Sequence, residues 1–244
     1  MRVNTHHVEK AFFRSAHLRS PGRIENTFAN ESFVDELAFA AQADPADYRL
    51  RYLKDPRAVA VIQKALARAK WQPRASVSPG AAGGDIARGR GISYLRYSNN
   101  NTYVAAVAEV AVNRKTGEIK VDRICVAHDY GLVVNPDGTV NQIEGGAIQT
   151  VSRTLMETVR WDRRKVLSRD WASYPILRHD QVPRVEVDLI DRPDQPTFAA
   201  GEPTPCAIPA AIGNAVFDAT GARLREVPFT PDRVKAALLR PVGV

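Results

Sequence analysis

Glu202 stands between Gly201 and Pro203 at the head of the segment AAGEPTPCAIPAAIGNAVFDATGARLREVPFT, and the residues just after it are small or apolar. A carboxylate against an apolar wall is costly unless it is paired, solvated or protonated. Two readings are open: a solvated loop acid ahead of a helix, or a carboxylate tuned to move protons. Other residue types that do chemistry are sparse. Cys125 and Cys206 make neither a CxxC motif nor a disulfide framework. Of the five histidines only His6 and His7 are close in sequence, no metal-ligand spacing appears, and surface or hydrogen-bonded imidazoles are the ordinary reading. Gly89 and Gly91 look superficially like a phosphate loop, but neither a preceding strand nor a following helix is expected around them.

The elements that must position Glu202 follow from periodicity. Residues 24–42 read as an amphipathic helix with Phe28, Phe33, Leu37 and Ala40 on its apolar face, stopped by Asp44-Pro45. A second helix is expected from Pro56 to Trp71, followed by a Pro/Gly/Ser-rich connector from Pro73 to Gly91. TYVAAVAEVAV and GEIKVDRICVAHD form a hairpin around NRKTG, and VVNPDGTV reads as a turn, with Asp129 and Asn135 as turn-forming residues. NQIEGGAIQTVSRTLMETV is a helix with Ile143, Ala147, Val151 and Leu155 on one stripe. Gly145-Gly146 inside it costs helix propensity and signals close approach of a backbone or a ligand. RVEVDLI is a further strand, and Ile208–Thr220 a helix closed by Gly221. The order implies an α+β fold with helices packed on mixed sheets. The division is a helical, basic segment over 1–91 and an α+β segment over 92–244, with one continuous domain as the alternative.

Composition sets wider bounds. The chain has 244 residues, 44% hydrophobic and 25% charged, which suits a globular protein with a sizeable core. No apolar run reaches the roughly 20 residues of a membrane span, and the N-terminal stretch lacks the apolar centre of a secretory signal. The expected compartment is therefore cytoplasmic by default, or periplasmic if a partner carries the chain out. The first hundred residues hold 16 Lys and Arg against 9 Asp and Glu, while the rest hold 18 of each. Such an excess suits an acidic partner, an anionic cofactor or nucleic acid, although the charges are spaced out without a run or an aromatic ladder.

Four segments in order, LRSPGRIENTFANESFVDELA, DYGLVVNPDGTVNQIEGGAIQ, SYPILRHDQVPRVEVDLI and AAGEPTPCAIPAAIGNAVFDATGARLREVPFT, resemble the C-terminal third of the molybdenum-binding large subunit of the xanthine oxidase/aldehyde oxidoreductase family. The branch typified by the isoquinoline 1-oxidoreductase β-subunit is the most similar. The resemblance covers almost the whole chain. It implies the C-terminal half of a molybdopterin-binding domain, in a hydroxylase that oxidises an aldehyde or N-heterocycle with water as oxygen source. The metal would be held by the dithiolene of molybdopterin, in some members as its cytosine dinucleotide, with no protein ligand. Iron–sulfur clusters would lie in a partner, since two cysteines cannot hold one.

By the same resemblance Glu202 is the general base acting on the molybdenum-bound hydroxide. Gln142, Gly145, Gly146 and Gly201 line the cofactor, and the small residues after Glu202 let their helix lie close to it. Arg19 belongs to a loop that orients substrate or cofactor. Its Arg-Ser-Pro-Gly replaces the Arg-Gly-Phe-Gly of xanthine-type enzymes, which removes an aromatic clamp and counts against a purine. Read from the residues alone, Gln142 is also a helix N-terminal cap and Arg19 also an ion-pair partner of Glu25. The implied partners are an upstream part of the large subunit, a small 2Fe–2S subunit and a cytochrome acceptor, with no nucleic acid and no membrane contact of the chain's own. The helix from Ile208 to Thr220 is expected to become buried only on assembly. An inactive family fragment and a basic nucleic-acid-binding protein are the competing readings.

Overall fold

The computed structural model describes residues 4, 6, 16–78, 83–98 and 101–240; His7, the rest of the N-terminal stretch and connector residues 79–82 lie outside the described residues. Among the described residues the order is α1 (Arg23–Ala40), α2 (Pro45–Tyr52), α3 (Pro56–Ala69), β1 (Ile86–Tyr97), β2 (Thr102–Asn113), β3 (Ile119–Asp129), α4 (Pro136–Leu155), β4 (Arg184–Leu189), α5 (Pro203–Thr220) and α6 (Pro231–Leu238). The α+β expectation, helices on a mixed sheet, is met.

Proline opens five of these helices, where its missing N–H costs nothing. Asp44 caps α2 by accepting from the Ala46 and Asp47 amides, each at 2.9 Å, and Asp55 caps α3. Asp44-Pro45 therefore starts a helix as well as ending one, and α2 went unread. The expected turn at NPDG is likewise the start of α4, with Asn135 Oδ1 accepting from Gly138 N at 2.9 Å.

The sheet order is β1-β2-β3-β4, antiparallel except for the parallel β3–β4 pair. Strict alternation along β2 sorts the core. Val104, Ala106, Ala108, Val110 and Val112 face α4, α5 and α6, while Tyr103, Ala105 and Val107 face α2 and α3. One extra residue in β3, Asp122, sits between the pairs Glu109↔Arg123 and Val110↔Val121. That bulge puts Val121 and Ile124 on the same face.

β1 overturns the connector reading. Gly89 and Gly91 are strand residues, and the boundary at 91/92 falls inside β1. A Cβ at Gly89 would come 2.4 Å from Ala215 O and Ala219 N, and one at Gly91 would come 2.2 Å from Ala215 N. The glycines of β1 and the alanines of α5 thus let helix and sheet meet backbone to backbone. The small residues of α5 serve this contact. Pro203–Ala219 are all buried within the chain itself, so α5 does not wait for assembly to be covered.

Helix α1 also corrects its expected face. Phe33 and Leu37 are 59% and 39% exposed, and the buried positions are Thr27, Glu31, Asp35 and Ala38. Tertiary partners decide this: Arg49 Nε lies 2.8 Å from Glu31 Oε2 and Arg223 Nη2 2.8 Å from Asp35 Oδ2, all largely buried. Four arginines of the first hundred residues find partners in the same way. Arg57, Arg68, Arg74 and Arg88 pair with Asp129, Asp188, Asp218 and Asp122 of the second part, at 2.5–2.8 Å. These arginines tie α3, the segment after it and β1 to the rest of the fold.

Candidate functional site

Three pieces of backbone converge at one end of the sheet: the loop before α1, the strand-like segment before α5, and the first half of α4. Residues 198–202 are fixed from below, where Phe198 N donates to Tyr130 O at 2.8 Å and Thr102 Oγ1 donates to Ala199 O at 2.9 Å. From the side, Ser20 turns the α1 loop with φ 72°, and its hydroxyl donates to Glu202 O at 2.6 Å.

Arg19 ties all three together. Its Nε donates to Gly201 O at 2.5 Å, its Nη2 to Gln142 O at 3.3 Å and its Nη1 to Gln149 Oε1 at 3.5 Å, while Arg153 donates to Arg19 O at 3.3 Å. The expected Glu25 partner is not among them. Partial burial and the nearby Arg153 lower the guanidinium's proton affinity, against the opposing pull of Glu202, and an arginine stays charged all the same. Gly146 makes room for it, since a Cβ there would lie 3.0 Å from Arg19 Nη2 and 3.2 Å from Pro205 Cδ. A Cβ at Gly201 would lie 3.1 Å from Gln142 Nε2. Arg19, Gln142, Gly146, Gly201 and Glu202 are therefore neighbours. Gly145 is exposed, and a Cβ there would meet nothing within 4 Å. The expectation of close packing within the chain holds for Gly146 and fails for Gly145.

Glu202 occupies the N-cap position of α5, half-buried, with φ −104°, and its side chain accepts no capping bond. Instead its Oε2 accepts a short hydrogen bond from the Tyr97 hydroxyl, at the end of β1. Burial, reinforced by that bond, pushes the Tyr97 phenol up to about 12. Arg23 lies 5.6 Å above the Tyr97 ring. Cys206, one turn into α5, donates to Glu202 O at 3.5 Å, and burial pushes its thiol up to about 12. Tyr97, Ser20, Thr102 and Gln149 were not singled out in sequence. Ser20 and Gln149 lie within the segments that carry the resemblance but were given no role there, while the β1–β2 register pairs Tyr97 with Thr102.

Three further readings change. Gln142 lies inside α4, exposed, and does not cap its N-terminus, a role that Asn135 fills. Asp129 does shape its turn, accepting from Gly131 N at 3.3 Å, and it is also fully buried and holds α3 to the sheet. Burial alone would raise its pKa, but hydrogen bonds from Arg57, at 2.5 and 3.1 Å, and from Arg192, at 3.0 Å, bring it below the usual range. His128 is neither on the surface nor hydrogen-bonded. Both ring nitrogens are buried without a partner among the described residues, the ring stands edge-on to Tyr130 at 5.6 Å, and burial drops its pKa to about 3.

The donors left facing outward are the Gln142 and Gln149 amides and part of the Arg19 guanidinium, beside the bare backbone of Gly145. That set fits a flat, polar, anionic ligand such as a pterin phosphate, which takes hydrogen bonds from amides and charge from a guanidinium. No cluster of three or more His, Cys, Asp or Glu suited to a metal ion occurs among the described residues.

Known proteins match most of this chain. The family model for the molybdopterin cofactor-binding domain matches residues 34–183. One of the subunits of nicotinate dehydrogenase from Pseudomonas putida is 44% identical over 92% of this chain, which spans 20% of that protein. The β-subunit of isoquinoline 1-oxidoreductase from Brevundimonas diminuta is 37% identical over 88% of the chain, which spans 26% of it. Among solved structures, aldehyde oxidoreductase from Desulfovibrio gigas superposes with a TM-score of 0.75 at 17% identity, covering 92% of this chain and 42% of that one, a likeness of fold. Quinoline 2-oxidoreductase from Pseudomonas putida gives 0.54 at 27% identity over 57% of this chain and 19% of its own. By the family match over most of its length and by these relatives, the chain belongs to the molybdopterin cofactor-binding domain family.

Proposed function

We propose that this chain forms part of the large subunit of a molybdenum hydroxylase that oxidises an aldehyde or an aromatic N-heterocycle, with water as the source of the inserted oxygen. The observation that carries the reading is the convergence of Arg19, Gln142 and Gly201 around Glu202, a half-buried carboxylate that caps no helix. Molybdopterin with its metal, when bound, supplies the two-electron acceptor and polarises the water-derived oxygen. The Gln142 and Gln149 amides and Arg19 hold the cofactor's polar edge, and Gly145 gives it access to the α4 backbone. Glu202 takes the proton from the attacking oxygen, a contribution of about 10²–10⁴ in rate for a positioned base. Ser20 and Arg19 fix the backbone on either side of it, so the carboxylate approaches from one direction.

The chain spans a fifth to a quarter of the relatives named above, so the other half of the cofactor site is assigned to an upstream part of the large subunit. Electrons leave through a small 2Fe–2S subunit, with a cytochrome as a further acceptor, and the cytosine dinucleotide is the proposed form of the cofactor. No helix of the described residues is long and apolar enough to cross a membrane. Co-expression with an upstream large-subunit segment and the small subunit tests the assignment. Stoichiometric molybdenum and dye-coupled oxidation of an aldehyde or N-heterocycle are expected, and a folded complex without molybdenum would contradict it.

A further inference from the structure

We propose that Tyr97 is a positioning residue for Glu202: its hydroxyl holds one carboxylate oxygen and keeps the other free and aimed for proton transfer. The inference rests on Glu202 being the base. Oε2 is taken by the Tyr97 hydroxyl, while no hydrogen bond among the described residues reaches Oε1. The carboxylate is thus split into a held oxygen and a working one. Tyr97 is suited to this because it never gives up its own proton at working pH: burial and the Glu202 bond keep the phenol protonated to about 12. It also sits on a rigid element, paired with Thr102, whose hydroxyl fixes the same 198–202 segment from the next strand.

The other charged and titratable groups around the carboxylate are few. From the α1 side Arg19 acts on Glu202 by charge, Arg23 lies over the Tyr97 ring, and Glu25 acts on Cys206. From α4 Arg153 acts through Arg19, and from α5 the Cys206 thiol stays neutral. Among the described residues Tyr97 alone makes a hydrogen bond to the Glu202 carboxylate. Removing the donor leaves the carboxylate free to rotate, so its working oxygen is no longer held toward the reacting atom.

The test is Tyr97→Phe in the assembled holoenzyme, read in three ways. Molybdenum per polypeptide is expected to match wild type. The carboxylate stretch of Glu202, identified by its absence in Glu202→Gln, is expected to shift in frequency, because one oxygen loses its hydrogen bond. kcat is expected to fall about tenfold with KM unchanged, because the interaction serves the transition state alone. A ring-fluorinated tyrosine in place of Tyr97, a stronger donor of nearly the same shape, shifts the same stretch in the opposite direction and serves if Tyr97→Phe does not assemble. An unmoved stretch overturns the proposal, as does a loss of activity that only tracks lost molybdenum. If Glu202→Gln itself turns over normally, the reading of Glu202 fails instead, whatever Tyr97→Phe does.

Discussion

Replacing Gly91 by Ala adds one carbon where β1 meets α5, and the structure says how much room it lacks. The new Cβ would stand 2.2 Å from Ala215 N, 2.4 Å from Ala211 O and 2.6 Å from Asn214 C. All three are backbone atoms of α5, so no side chain can rotate away. Ordinary contact between such atoms begins near 3.5 Å, so the helix must retreat by roughly 1 Å. Overpacking costs about 1–3 kcal/mol, and a conflict with helix backbone belongs at the upper end. At ~2–4 °C per kcal/mol for a domain of this size, the melting midpoint should fall by roughly 6–12 °C. Because α5 begins at Pro203, directly after Glu202, turnover should fall with it. Scanning calorimetry of the holoenzyme carries the test, with Gly83→Ala as the control, since a Cβ there meets nothing within 4 Å. A Gly91→Ala protein that melts with wild type would refute the backbone-to-backbone packing of β1 and α5.

Two predictions concern neighbouring features. Gly145→Leu is expected to leave stability unchanged or to raise it by up to ~1 kcal/mol through helix propensity, while lowering molybdenum per polypeptide; unchanged metal content would remove Gly145 from the cofactor surface. His128, neutral in the fold down to about 3 but protonated near 6.5 once unfolded, should make stability decline as pH falls through that window, because there the unfolded chain binds the extra proton. His128→Leu should flatten the decline between pH 6.5 and roughly 5, as read by urea midpoints against pH, and an unaltered slope would show that the buried imidazole is not its source.

What the sequence disclosed was what repeats with a period. The β2–β3 hairpin follows from alternation, the Ile143, Ala147, Val151 and Leu155 stripe of α4 is buried as read, and Gly221 closes α5 with φ 77°. Punctuating residues were harder. Pro45 and Pro136 were read as breaks, although each is the first residue of a helix, because proline has both uses and only the capping bonds of Asp44 and Asn135 tell them apart. Gly89 and Gly91 hid β1, since the reason for glycine there is a helix more than a hundred residues away. The buried face of α1 was misplaced because Glu31 and Asp35 carry their partners, Arg49 and Arg223, on other elements. At the site, Glu202, Gln142, Gly201 and Arg19 were visible through the resemblance, and the structure brings them together. Tyr97 was not visible, for its meeting with Glu202 depends on tertiary placement alone.

The central claim is that Glu202 is the base of a molybdenum hydroxylase, and Glu202→Gln in the assembled enzyme tests it most directly. The amide keeps the size of the side chain and an oxygen able to accept from the Tyr97 hydroxyl, so the local packing has no reason to change. Molybdenum per polypeptide and steady-state turnover are measured on the same preparation. The account predicts wild-type metal content with turnover lower by about 10²-fold or more. Full metal content with wild-type turnover would contradict it.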